Sequence, residues 1–139
     1  MSAGQVVLIV LAAAFVGGGM LLSARESRWR GPLYCIEQRG QLWGGEAGAL
    51  PRGARPSCPD SNSYRREVRA GESRVEQYIL AGWAPRALER GFLAHGFAQL
   101  DGEFINPDLY EAFFSKNGNK LYYLTARVNG QTQITLSGR

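Results

Sequence analysis

The chain has 139 residues, of which 45% are apolar and 20% charged, with sixteen Lys and Arg against twelve Asp and Glu for a formal net charge of +4. That length excludes a large enzyme scaffold, and the composition excludes a disordered chain. Eighteen glycines without a Gly-X-Y period are loop residues rather than collagen.

The first 24 residues contain no Asp, Glu, Lys, Arg or His, and Val6 to Leu22 is a run of 17 residues without a polar side chain. Extended to the Gly31-Pro32 helix breaker, the segment predicts a single transmembrane helix from about Gly4 to Arg30, roughly 40 Å long, which matches a lipid bilayer with its headgroup layers. Arg25, Arg28, Trp29 and Arg30 then fall at the membrane interface, where guanidinium groups snorkel and an indole sits between apolar and wet layers. Two other readings compete. A cleavable secretory signal needs a positive start and small residues at the cleavage site, whereas this chain begins Met-Ser-Ala-Gly and offers Leu22-Ser23-Ala24. A core helix of a soluble protein is the other, although the rest of the chain has its own aromatic-rich strands. Ala13, Ala14, Gly17 and Gly18 offer a small-residue face for helix contact, or they simply make a weakly hydrophobic anchor.

Residues 31-63 predict a Gly/Pro-rich linker. Cys35 and Cys58, the only cysteines, lie at its ends, and a disulfide between them would stabilise by about 3 kcal/mol in the chain-entropy model. Their spacing is not C-x-x-C, and the sole histidine, His95, is distant, so no metal set and no cofactor is expected. The arginines after the span favour a cytoplasmic domain, and the cysteine pair favours an oxidising compartment. The second argument is preferred, which predicts a single-pass protein of the cell membrane with its domain on the non-cytoplasmic side, periplasmic or extracellular. Ten Arg and six acidic residues lie between Arg25 and Arg74, whereas basic and acidic residues balance from Val75 onward. A membrane-proximal basic excess suits anionic headgroups or a solvated linker, and it does not form the basic, aromatic-interleaved face that nucleic acid needs. The glycines from Gly40 to Gly53 lack both the Gly-Lys-Ser/Thr and the G-x-G-x-x-G pattern, so they predict a loop and not a phosphate cradle.

Residues 64-139 predict an α+β domain of two helices packed on an antiparallel β-meander. Ser73-Arg74-Val75-Glu76 has the form of a capping box, with Val75, Tyr78, Ile79 and Trp83 on one helical face. Pro85 opens a second helix carrying Leu88, Phe92 and His95, with Gly96 at its C-terminal cap and His95 near free carbonyls. Phe97 to Leu100 predicts a short strand, and Asp101-Gly102 and Asn106-Pro107-Asp108 predict turns. Asn117-Gly118 and Asn129-Gly130 are two-residue hairpin turns, and they align Phe114 with Leu121, Ala112 with Tyr123 and Leu136, and Tyr110 with Thr125 and Ile134. That face should pack on the helices. The opposite face, with Phe113 beside Tyr122, Leu124 beside Glu111, and Val128, is half apolar and is the candidate partner surface.

Ala94-His95-Gly96-Phe97, then Leu109-Tyr110-Glu111-Ala112-Phe113-Phe114, Asn117-Gly118 and Val128-Asn129-Gly130 together resemble a PepSY-type domain over about Pro85 to Leu136. The resemblance implies a helix on an antiparallel meander, an envelope setting, binding or restraint of partners, and no catalytic residues. Inventory agrees, since one His without a nucleophile elbow or a scaffolded carboxylate pair assembles no catalytic set. Asp101, Glu103 and Asp108 lack the spacing of a calcium loop. The expected function is therefore a membrane-anchored, non-enzymatic envelope protein whose domain binds a protein partner. The alternative is an accessory single-pass subunit of an integral membrane complex.

Overall fold

The computed structural model describes residues 26–139. Residues 26–30 are helical, and the Gly31 amide closes the last turn on the Arg28 carbonyl before Pro32. The span and the small-residue face at Ala13, Ala14, Gly17 and Gly18 lie outside the described residues, as does Arg25. Among the described residues no helix is long and apolar enough to cross a membrane.

Pro32–Arg139 form one compact unit. Its six strands are β1 (Arg55–Ser57), β2 (Arg74–Leu80), β3 (Ala98–Asn106), β4 (Leu109–Lys116), β5 (Asn119–Val128) and β6 (Gln131–Gly138). They form one antiparallel sheet in the order β1-β2-β6-β5-β4-β3. Both Asn-Gly turns are two-residue loops with positive φ at each central residue, as a type I′ turn requires. The resulting register is the expected one, with Phe114 opposite Leu121, Tyr123 opposite both Ala112 and Leu136, and Thr125 opposite both Tyr110 and Ile134. All of these side chains are fully buried.

The helices differ from expectation. Residues 74–80 form strand β2, not a helix, because the supposed capping box is used otherwise. The Ser73 hydroxyl donates to Glu67 (2.7 Å), and the Glu76 carboxylate turns into the core. Val75, Tyr78 and Ile79 are good strand formers, and pairing to β1 and β6 on both sides overrides the local signal. The additional helix lies earlier, as α1 (Asn62–Ala70), where the Ser61 hydroxyl caps the Tyr64 amide (3.3 Å) and Gly71 ends the helix in the left-handed conformation. Helix α2 (Glu89–Ala94) follows a turn at 85–88 and is shorter than expected, with Gly96 in its terminating role. Phe92 packs its ring against Phe97, Phe114 and Tyr123 at 5.1, 5.3 and 6.4 Å. The Nδ1 of His95 lies 2.8 Å from the Gly91 carbonyl, the helix-end position anticipated for it. Strand β3 continues through Asp101-Gly102, which pair with Phe113 and Ala112 instead of turning, and a register shift lies just before them, between Gln99 and Asp101.

The segment expected as a linker contributes to the core. Tyr34, Cys35, Ile36, Leu42, Trp43 and Ala47 are buried, and Cys35 and Cys58 form a disulfide. Its glycines make close approach possible. A Cβ on Gly48 would stand 2.5 Å from the His95 ring, and one on Gly44 would stand 2.7 Å from the Arg74 guanidinium.

Candidate partner-binding face

Residues directly opposite one another in an antiparallel sheet share a face, so the register sorts every strand residue. One face carries Glu76, Leu136, Tyr123, Ala112 and Gly102 in one row and Tyr78, Ile134, Thr125, Tyr110 and Phe104 in the next. The 85–88 turn, helix α2 and the turn around Trp43 engage this face: Tyr123 donates to the Pro85 carbonyl (2.8 Å), accepts from the Leu88 amide (3.3 Å) and meets the Phe92 ring, and the Trp43 amide meets Glu76. Two buried carboxylates are fixed here. Glu76 accepts from the amides of Trp43 (2.7 Å) and Gly44 (2.9 Å) and from the Tyr78 hydroxyl (2.8 Å). Burial raises its carboxyl above the ordinary range, and the three donors pull it back only in part. Glu89 accepts a short hydrogen bond from Tyr110, over whose ring the Arg86 guanidinium lies at 5.1 Å. Both acids hold segments of backbone and ring in place, and neither was singled out by the sequence as a core residue.

The other face carries, row by row, Asp101, Phe113, Tyr122 and Ser137, then Glu103, Glu111, Leu124, Thr135 and Gln77. Phe113, Tyr122, Leu124 and Val128, expected as a partner surface, all lie on it. The rings of Phe113 and Tyr122 are 5.0 Å apart at 30°, with Phe113 38% and Val128 41% exposed and Tyr122 and Leu124 half-buried. The Tyr122 hydroxyl donates to Glu111 (2.7 Å), and its phenol is pushed up to about 12, first by burial and then by that hydrogen bond and the carboxylate charge. Toward β2 this face is closed, since Val75 is buried and lines one crevice with Cys35 and Val68 of α1. Helix α1 also reaches β5, since Tyr64 lines a crevice with Lys120 and Ser137 and lies near enough to the Tyr122 phenol to add to its upward shift, and the β3 and β4 side around the exposed Phe113 stays open.

Of the remaining expected sites, the Arg28 guanidinium lies over the Trp29 ring at 4.8 Å, and Arg30 is exposed. Asp101 and Glu103 stand on a strand instead of around a turn, and Asp108 pairs with Arg127 at 3.1 Å. Among the described residues no group of three His, Cys, Asp or Glu is placed to hold a metal ion. No protein-family model, curated protein or solved structure matches the chain.

Proposed function

We propose that the chain is a membrane-anchored, non-enzymatic protein of the cell envelope, whose α+β domain lies on the non-cytoplasmic side and binds a protein partner through the open face of its sheet. The observation that carries this reading is the gathering of Phe113, Tyr122, Leu124 and Val128 on the face opposite helix α2, of which α1 closes only the part toward β2. A contiguous apolar patch with a polar rim is the usual form of an interaction surface. The Cys35–Cys58 disulfide supports an oxidising compartment, and the charge-free run before Arg25 supports the anchor and its contact with the lipid bilayer. Glu76 and Glu89 are bound up in holding the fold, which favours binding over catalysis. The reading calls for no cofactor and no nucleic acid, and it includes the resemblance of residues 85–136 to PepSY-type domains.

A second reading, an accessory subunit whose helix does the binding, rests on the small residues Ala13, Ala14, Gly17 and Gly18. Co-purification from native membranes separates the two. Serine at Phe113 and Leu124 should remove the partner while the fold persists, and leucine at Gly17 and Gly18 should leave it bound. The reverse pattern favours the subunit, and retention in both variants rejects the open face.

A further inference from the structure

The open face carries Asp101, Glu103 and Glu111, and among the described residues no Lys or Arg forms an ion pair with them. Glu103 stands directly opposite Glu111 across β3 and β4, and Asp101 stands opposite Phe113. Like charges directly opposite in a sheet are destabilising, and among the described residues no Lys or Arg pairs with either glutamate. The nearest basic residue by register is Lys120, which borders the face on the row toward the Asn117-Gly118 turn. The ring pair beside these carboxylates is equally unattended. Elsewhere arginines lie over Trp29, Tyr34, Trp43, Trp83 and Tyr110, at 4.0 to 5.1 Å, whereas the pair of exposed Phe113 and half-buried Tyr122 has no cation over it among the described residues.

Resting on the function proposed above, we infer that the partner presents a cationic segment to this face, an Arg or Lys whose charge meets Glu111 and Glu103 while its stem and head lie over the Phe113 and Tyr122 rings. A guanidinium satisfies both needs at once, because it pairs with carboxylates through its edge and stacks on rings through its plane. Glu111 is already oriented for this by the Tyr122 hydroxyl. The occupant lies across the sheet face and does not extend the sheet edge: the Asp101 carboxylate already accepts from the Gly102 amide (2.8 Å), and β3 carries two register shifts that break a regular template. A second copy of the chain presenting the same acidic face would be repelled, as would an anionic lipid surface.

The test titrates the full chain, in micelles of an uncharged detergent, with a short peptide alternating arginine and valine, and with counterparts carrying glutamine or glutamate in place of arginine. The arginine peptide should bind and shift the ring resonances of Phe113 and Tyr122. Glu111→Gln and Glu103→Gln should each weaken it about threefold, the size expected of an exposed charge pair. Glu103→Gln should also raise the melting temperature, because it removes a like-charge contact, and so weaker binding cannot be ascribed to misfolding. Equal binding of the glutamine peptide overturns the inference and leaves the face as an apolar dock. No shift with any peptide also overturns it, while co-purification from membranes decides separately whether the face binds at all. Self-association of the chain abolished by Glu111→Gln would make a second copy the occupant and sink the proposal.

Discussion

Replacing Glu76 by Leu should destabilise the domain far more than an ordinary surface change, since it strands three donors at once. The amides of Trp43 and Gly44 and the hydroxyl of Tyr78 all point at this carboxylate, which is 3% exposed. A buried donor left without an acceptor costs about 1–3 kcal/mol. Two reliefs reduce the total: Tyr78 also lies 3.2 Å from the Gln41 carbonyl, and a buried charge disappears. The expected loss is about 2–4 kcal/mol, a large fraction of the stability of a domain this small. Urea unfolding followed by tryptophan fluorescence measures it, with Trp43 as a buried reporter. A loss below about 1 kcal/mol, with residues 39–55 still protease-resistant, would mean that Glu76 does not pin the Trp43 turn. The pH dependence gives a second check. Burial lifts the Glu76 carboxyl above its usual 4.5, so between that value and the raised one the folded state holds more protons than the unfolded state. This contribution to stability is full below 4.5 and is lost as pH rises through the raised value. Glu76→Gln should flatten that falling limb relative to the parent chain.

Serine at both Cys35 and Cys58 should cost about 3 kcal/mol and loosen the sheet as well as the loop, because Leu42 and Trp43 share its core; a melting temperature insensitive to reductant would contradict this. Gly102→Ala should cost about 1–3 kcal/mol, because the added Cβ would stand 2.5 Å from Gln99 Nε2 and 2.7 Å from the Tyr110 hydroxyl, which Glu89 holds in place; unchanged denaturation midpoints would show that both side chains yield freely. Glu111→Gln should bring the Tyr122 phenol down from about 12 part of the way toward 10, read by absorbance titration, and no movement would mean that burial and the neighbouring Tyr64 raise it without Glu111.

The meander was legible because two Asn-Gly turns fix its register and a one-residue slip would turn every core residue outward. The same register, set by the two turns alone, places Phe113, Tyr122, Leu124 and Val128 on one face. Strand β2 was not legible. Its residues alternate between two covered surfaces, so both Val75 and Glu76 are buried and no period of two shows in the sequence. The Ser73 to Glu76 spacing imitates a helix start, whereas the cap residues that bound a real helix are Ser61 and Gly71. The loop around Trp43 was hidden by composition: glycines at its turns resemble a linker, and only contact with Glu76, His95 and Arg74 reveals a packed one. The acidic pair of Glu103 and Glu111 lies on strands joined by the Asn106 to Asp108 turn, and Asp101-Gly102, a common turn dipeptide, hides the part of β3 that carries Glu103.

The central claim, that the open part of the sheet face carrying Phe113 binds the proposed partner, is tested most directly by site-specific photo-crosslinking in native membranes. A benzophenone side chain at position 113 is compared with one at position 93, since Leu93 is similarly exposed but lies on α2. The account predicts that position 113 captures the co-purifying partner and position 93 does not, with the attachment mapping beside an Arg or Lys of that partner. Capture from position 93 alone, or equally from both, would contradict it.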